Sequence, residues 1–510
     1  MAEYDAIVVG AGPNGLTAAV TLADAGLSVG VYEAASTVGG GARTEELTLP
    51  GFRHDPCSAV HPLGAGSPVL RALDLQRYGL SWIHPELPLA HPFPDGSAAI
   101  LARSLSETAT ALGRRDGDTY VSMMAPFQDR WDGLAADILR PALAAWPRQP
   151  LAYGRFGLLA ALPAAALARI FAGEQARGLF AGLAGHVTAP LTAPLTSGVA
   201  LTFALAAHGH GWPIPRGGTQ AISDALTARL TALGGRVLLG HRVTSLAELP
   251  AARAYLFDTA PGDAVRIAGD RLRGWYSDLF LRNYRHGPAV FKVDYALSGP
   301  VPWTAPDARR AGTVHLGPTL GEIGAALRAA RHGTAPDPPF LITAQPSLFD
   351  PSRAPAGSHV LWVYAQVPAG WPGDMTGPIE AQIERFAPGF RDLVRARTVT
   401  TPADLEARNP NNVGGDIACG RCDQLRLVLR PAPVPVPVPY ATPDRRIYLC
   451  SAATPPGPGV HGMSGYHAAL AALRRVFKVR SPLAEVVDGL SGGQSPPRAD
   501  LRDAGAGAAG

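Results

Sequence analysis

Hydrophobic and polar positions change rhythm along the chain. Residues 4–9 form a short apolar run closed by a glycine turn, the pattern of a buried parallel strand. Small and apolar side chains at helical spacing predict a helix over 16–25, and a second strand over 28–32 ends at Glu33. The same succession returns near the far end: an apolar run at 447–450, a Pro/Gly loop at 454–459, and a small-residue helix from about Gly462. Between them, Gly217-Gly218 leads into a predicted helix over 221–233, which Gly234-Gly235 ends before a strand at 236–239. Residues 291–297 and 359–367 alternate with period two and predict sheet. The most apolar stretch, 158–207, is broken by Arg169, Glu174, Arg177 and several prolines, which suits a buried helical lobe or a surface dipping into a bilayer. The Pro/Val alternation of 431–440 reads as an extended connector, and the Ser/Gly/Pro/Ala-rich segment after 480 as a disordered tail.

The opening unit carries the clearest chemistry. Gly10-Ala11-Gly12-Pro13-Asn14-Gly15 is a GxGxxG pattern between strand and helix. Gly10 permits the tight turn, Gly12 lets the backbone approach a pyrophosphate, and Gly15 lets the helix pack on the strand. The helix N-terminus offers free N–H groups and its positive dipole end. Glu33 follows about 20 residues on, where a carboxylate accepts ribose hydroxyls and repels the extra phosphate of NADP. A second glycine patch, Gly39-Gly40-Gly41-Ala42-Arg43, adds backbone and a guanidinium for the diphosphate. A patch placed there is a habit of flavoproteins of the glutathione-reductase class, so FAD is the expected cofactor. Strand, glycine loop and helix N-terminus at 447–463 offer a second site for developing negative charge.

With 510 residues, the chain exceeds one hydrophobic core and predicts at least two lobes. It is 47% hydrophobic and 17% charged, with a formal net charge of +4 and no basic runs interleaved with aromatics, so nucleic acid is not expected as a partner. Four cysteines, Cys57, Cys419, Cys422 and Cys450, fit a reducing compartment. With neither a signal-peptide pattern nor a charge-free stretch of about 18 residues, the expected location is cytoplasmic, with peripheral membrane contact.

Further segments carry a family resemblance: GWPIPRGGTQAISDAL at 211–226, GPAVFKVDYAL at 287–297, PSLFDPSRAPAGSHVLWVYAQVP at 346–368, and NPNNVGGDI at 409–417. In order, and with the glycine motifs, they make the chain resemble the phytoene desaturase-related FAD-dependent oxidoreductases, in the branch of the pyridine nucleotide-disulphide oxidoreductase domain-containing proteins. The resemblance implies an α/β fold: a Rossmann-like FAD domain of the glutathione-reductase class with an inserted α+β substrate lobe. The FAD domain is expected at 1–100, 211–265 and 405–480, the substrate lobe at 101–210 and 266–404, and the tail at 481–510. Gly10, Gly12, Pro13, Asn14 and Gly15 would hold the pyrophosphate, Glu33 the ribose, and Gly40, Gly41 and Arg43 the diphosphate and ribityl region. Val243 would meet the adenine; Gly459, Val460, His461, Gly462 and Met463 would lie by the isoalloxazine. Flavoproteins of this class often carry an acid after the last strand; here the place holds Ser451.

The oily insertion points to an apolar substrate, polyene or lipid-like, desaturated by hydride transfer to flavin N5 with a proton leaving the neighbouring carbon. With a single dinucleotide fingerprint, the electrons are expected to pass to oxygen, a quinone or an electron-transfer protein. Base candidates are His461, then His61, then Asp416, each weighed against a loop-ordering hydrogen bond. Cys419 and Cys422 form a CxxC, read more readily as structural than as a redox pair. His208 and His210 are a weak metal case, and no metal is expected. Asp258 is read as part of a structural turn. Alternative activities are a flavin-dependent isomerase, an amine oxidase, for which the C-terminal loop offers only Tyr466 toward an aromatic cage, and an FAD-bearing interaction protein with little turnover.

Overall fold

The structure, a computed structural model, describes residues 3–142, 145–432 and 434–492. Two sheets organise it. The first is five-stranded, in the order Ile447–Leu449, Ala254–Phe257, Ala6–Val9, Val29–Tyr32, Arg236–Leu238. Every pairing in it is parallel. The two central strands are wholly buried, as parallel strands covered on both faces must be. One face carries the helix Pro13–Asp24, whose residues 14–23 are all buried, flanked by Gln220–Ala232 and Met463–Ala472. The other face packs Ile7, Val9, Tyr255 and Phe257 against Pro261–Ala268.

The second sheet is seven-stranded: Val394–Thr400, Ala289–Leu297, His359–Val367, Leu341–Ala344, Ala311–Leu316, Leu87–Pro92, Ala98–Leu101. It is antiparallel except where Ala311–Leu316 runs parallel to Leu87–Pro92. Alternation assigns its two faces. Phe291, Val293, Leu361 and Val363 meet Ile379, Ile383 and Phe386 of the helix Thr376–Phe386. Val290, Trp362 and Tyr364 face the core shared with the first lobe. The helices Pro150–Ala160, Glu174–Ala184 and Thr196–His210 complete the second lobe.

Two expected boundaries change. Strands Leu87–Pro92 and Ala98–Leu101 belong to the larger sheet, so the first segment of the Rossmann lobe ends before residue 87 rather than at 100. The reason is the parallel ladder to Ala311–Leu316, a partner more than 200 residues away. The expected tail also begins as a helix, Pro482–Ser491, because the Ser481 hydroxyl caps the Ala484 N–H and Leu483 and Val487 bury against the core. Residues 493–510 of that expectation lie outside the described residues. The 431–440 connector holds no helix or strand among its described residues.

The helices Pro13–Asp24 and Met463–Ala472 cross at glycine. A Cβ on Gly465 would stand 1.8 Å from the Asn14 carbonyl oxygen, and one on Gly462 would stand 2.4 Å from Thr17 Oγ1. Both N-termini are thereby pressed together at the edge of the sheet. Gly465→Ala is expected to destabilise by about 3 kcal/mol, because backbone and not a pliant side chain blocks the new methyl. Urea denaturation checks this; an unchanged midpoint would show that the crossing has room.

Candidate active site

A cavity of about 740 Å³ runs between the two sheets. Its lining includes Gly10, Gly12, Pro13, Asn14, Glu33, Gly40, Gly41, Arg43 and Val243, together with Gly459, Val460, His461 and His61. The glycine turn is shaped as its sequence requires. Gly10 takes φ +103°, and a Cβ on Gly40 would lie 3.1 Å from Gly12 Cα, so the two glycine patches meet as bare backbone. Glu33 bends back over this turn: Oε2 accepts the Ala11 N–H at 2.7 Å and Oε1 the Ala35 N–H at 2.8 Å. Arg43 Nη2 stands 4.0 Å from Glu33 Oε1.

The acid that supports the turn comes from the end of a neighbouring strand. Asp258, at the end of Ala254–Phe257, accepts the Gly15 N–H on Oδ2 at 2.9 Å. It therefore does more than shape a turn. Burial, with Glu33 adding, pushes its carboxyl up to about 8. Asn411 fixes that strand end, donating to the Asp258 carbonyl at 2.9 Å and accepting the Ala260 N–H at 2.7 Å. The sequence placed Asp258 in a structural turn and gave no sign of its bond to Gly15, a partner 243 residues away.

Three other expectations change. Gly15, Gly462 and Met463 do not border the cavity. Gly15 packs on Gly10 and Asp258 within the glycine turn, Gly462 packs on Thr17 at the helix crossing, and Met463 is buried in the core. Asp416 is also outside the cavity and fully buried. Its oxygens accept from Gly287, Ala418 and Gly420 N–H at 2.8, 2.9 and 2.8 Å. A carboxylate so saturated holds the 416–422 loop and is not a base. From the opposite side the buried Arg430 guanidinium gathers carbonyls of Ala418, Gly420 and Ala452, and donates to Cys422 Sγ at 2.9 Å. Cys419 and Cys422 line the cavity as free thiols, raised by burial.

Burial favours the neutral form of His461, His61 and His186. His461 Nδ1 accepts the Met463 N–H at 3.1 Å, a cap on the following helix. The Thr219 hydroxyl spends its proton on the Ser58 carbonyl at 2.8 Å, so the 2.9 Å contact with His61 is a donation from His61 Nε2. Burial lowers both rings to about 4. His186, which the sequence did not single out, lines the cavity with Nε2 3.0 Å from His315 Nε2, its ring against Phe203 and Trp212; burial lowers it to about 3. His208 and His210 only tie down a helix end, on Tyr120 and Asp132. Among the described residues no cluster of three or more His, Cys, Asp or Glu could hold a metal.

Aromatic side chains are more plentiful here than the C-terminal loop suggested. Trp362 and Tyr364 line the cavity as an edge-on pair 5.1 Å apart, joined by Phe156, Phe203 and Trp212, whereas Tyr466 does not border it. Their signal was present in the period-two spacing of 362, 364 and 366, which places Trp, Tyr and Gln on one strand face. Several buried polar atoms on the wall have no partner within the chain: Asn14 Oδ1, Arg43 Nε, His461 Nε2, Thr188 Oγ1 and Gln366 Oε1. Unpaired groups spread over the wall suit a ligand with several polar parts.

Comparison with known proteins agrees with this architecture. Residues 8–74 match the family model of the NAD(P)-binding Rossmann-like domain. Pyridine nucleotide-disulfide oxidoreductase domain-containing protein 2 of Mus musculus is 27% identical over 92% of this chain and 93% of its own length. The chain is a relative of that protein along nearly its whole length. A limonene dehydrogenase subunit of Castellaniella defragrans is 30% identical, over 26% of this chain and 24% of its own. Among solved structures, an oxidoreductase from Methanosarcina mazei superposes with TM-score 0.61 at 15% identity, covering 91% of this chain and 98% of that one. Putrescine oxidase bound to putrescine gives 0.56 at 19%, covering 92% and 98%. Kinship and fold both lie with oxidoreductases, as the motifs implied.

The neutral imidazoles make stability depend on pH. A ring lowered from 6.5 to about 4 contributes fully above pH 6.5 and loses that contribution as pH falls to about 4, because the unfolded chain takes up the proton first. Each is worth about 3 kcal/mol across that window. Urea midpoints should therefore drop steeply between pH 6.5 and 4, and less steeply in His61→Gln; an equal slope in both would show that His61 titrates freely.

Proposed function

We propose that the chain is an FAD-dependent oxidoreductase that dehydrogenates an apolar, polyene- or lipid-like molecule. The observation that carries this reading is how the cavity distributes charge. Its carboxylates, Glu33, Asp258 and Asp263, all belong to the Rossmann strand ends or the helix that follows. Four arginines, Arg43, Arg242, Arg266 and Arg408, also line the cavity; the remaining wall is aromatic, aliphatic or uncharged polar, with His61, His186 and His461 held neutral. Such a surface receives an uncharged substrate and offers no counter-ion to a cation. The partial likeness to limonene dehydrogenase, named for a hydrocarbon, supports the same substrate class.

The residues present fit FAD. The bare contact between Gly12 and Gly40 leaves no side chain in the way of a pyrophosphate, with Pro13, Asn14, Gly41 and Arg43 beside it. Glu33 would accept ribose hydroxyls, Val243 would cover the adenine, and Gly459, Val460 and His461 would border the isoalloxazine. Bound FAD would supply the hydride acceptor. The chain's part is to exclude water with Trp362, Tyr364, Phe203 and Trp212, and to hold the neutral imidazoles of His61 and His186 and the unpartnered Nε2 of His461 at the cavity. Electrons would leave to oxygen, a quinone or an electron-transfer protein, and the protein would work in the cytoplasm, in contact with a membrane surface. A second reading, amine oxidation, draws on the Trp362–Tyr364 pair and the fold shared with putrescine oxidase.

The purified protein should show a flavin band and release FAD on heating. Without air, terpenes or polyenes should bleach the band and alkylamines should not. Bleaching by amines alone would favour the second reading, and a colourless protein that refuses FAD would remove both.

Asp258 gives the site its own pH dependence. Its carboxyl, raised to about 8, stays protonated beside the pyrophosphate position at neutral pH. Affinity for FAD should hold up to about pH 8 and then fall by up to about tenfold per pH unit as the carboxylate ionises. Asp258→Asn keeps an acceptor for the Gly15 N–H without the charge, so its affinity should stay level. Flavin-fluorescence titrations from pH 6 to about 9.5 make the comparison; parallel curves would sink it.

A further inference from the structure

The helix Pro150–Ala160 has two apolar faces. Inward, Phe156 and Ala160 form part of the cavity wall. Outward, Leu151 and Leu158 are 90% and 76% exposed, and the nearby Trp146 is 82% exposed. Leu151, Arg155 and Leu158 follow at spacings of four and three, so they share one side of the helix. Leu162 and Ile170 extend the exposed apolar set along the next turn, before the chain re-enters the core at Phe171. Pro150–Ala160 and Ala164–Ile170 meet at 93°, and together they are as apolar as a broken membrane span.

The charge on this segment has one sign. From residue 140 to 173 the sequence holds four arginines, Arg140, Arg148, Arg155 and Arg169, and no aspartate or glutamate. Arg155 and Arg169 are exposed beside the leucines, while Arg140 and Arg148 pair with Asp137 and Asp488. Asp118 borders the same face next to Arg155 and Ile170.

We propose that this face docks on an anionic lipid surface and brings the cavity against the bilayer. Leucine and tryptophan enter the acyl boundary while the arginines meet lipid phosphates, the division of labour of an interfacial helix. A second copy of the chain is a poorer occupant, because a two-fold contact sets this acid-free segment against its own arginines. One helix thickness, about 10 Å, then separates lipid from cavity. The proposal deepens the apolar-substrate reading and rests on it for its purpose, but the docking surface stands on its own residues.

The test is co-sedimentation of the full-length protein with phosphatidylcholine vesicles, with and without about one-third phosphatidylglycerol. Binding should require the anionic lipid and weaken at about 0.5 M salt. Leu151→Ser with Leu158→Ser should lower it by at least about tenfold, because two side chains no longer leave water. Both positions are solvent-exposed, so the thermal midpoint should match wild type. No binding to either vesicle, or equal binding by the double variant, overturns the proposal. So does a dimer in vesicle-free sedimentation that the same substitutions dissociate. The substrate reading fails separately, when the band in vesicle-free protein is bleached by no apolar compound while vesicle binding persists.

Discussion

The close crossing of two helices at glycine governs the rest of the molecule. Gly465 lets Met463–Ala472 lie against the Asn14 carbonyl, and Gly462 does the same at Thr17. That approach brings the loop 459–461 within the cavity that Gly10, Gly12 and Gly40 begin. Any side chain at the crossing would push the two lobes of the cavity wall apart. The buried carboxylates serve the same end: Glu33 holds the glycine turn at Ala11, and Asp258 holds it at Gly15.

Beneath the aromatic wall lies a second buried network that the cavity's shape depends on. Lys292 pairs with Asp294 on the strand Ala289–Leu297, and His54 stands 3.6 Å from Asp294 Oδ1. Asp55 accepts from Arg353 and from Thr219, tying the residues before Cys57 to the turn Pro351–Arg353 and to the start of Gln220–Ala232. Burial lowers Lys292 and raises Asp294, and each partner opposes the other's shift. Above this network, Trp362 donates to the Cys57 carbonyl at 2.9 Å and is held edge-on to Tyr364. The wall's rigidity is therefore electrostatic underneath and aromatic on its surface.

Local features were legible in the sequence, and distant pairings were not. His359–Val367 appeared as the alternation places it, and the helix after the first glycine turn differs only at its ends. Proline at position 13 starts that helix early, because its fixed φ suits a first turn. The boundary near residue 100 was misplaced because a parallel ladder to 311–316 leaves no trace in Leu87–Pro92 itself. Asp416 looked like a candidate base because a carboxylate in a glycine-rich loop does not reveal which N–H groups it will accept. The helix Pro482–Ser491 was legible in Ser481, Pro482 and Glu485, yet the composition that follows concealed it. His186 gave no signal, since its partner His315 sits on a strand 129 residues later.

The order of strands in the first sheet has a consequence for how the protein is made. Its neighbours come from residues 6–32, 236–257 and 447–449. The edge strand at 447 and the glycine crossing at 465 leave the ribosome long after the strands they join. The opening strand–helix–strand unit must therefore wait, with both its sheet edges unpaired, until residues 236–257 have been made. Contacts so far apart in sequence form slowly, and an open edge in the meantime invites wrong partners. A chaperone's hold on the nascent N-terminus would matter more for this fold than for one whose first unit closes on itself.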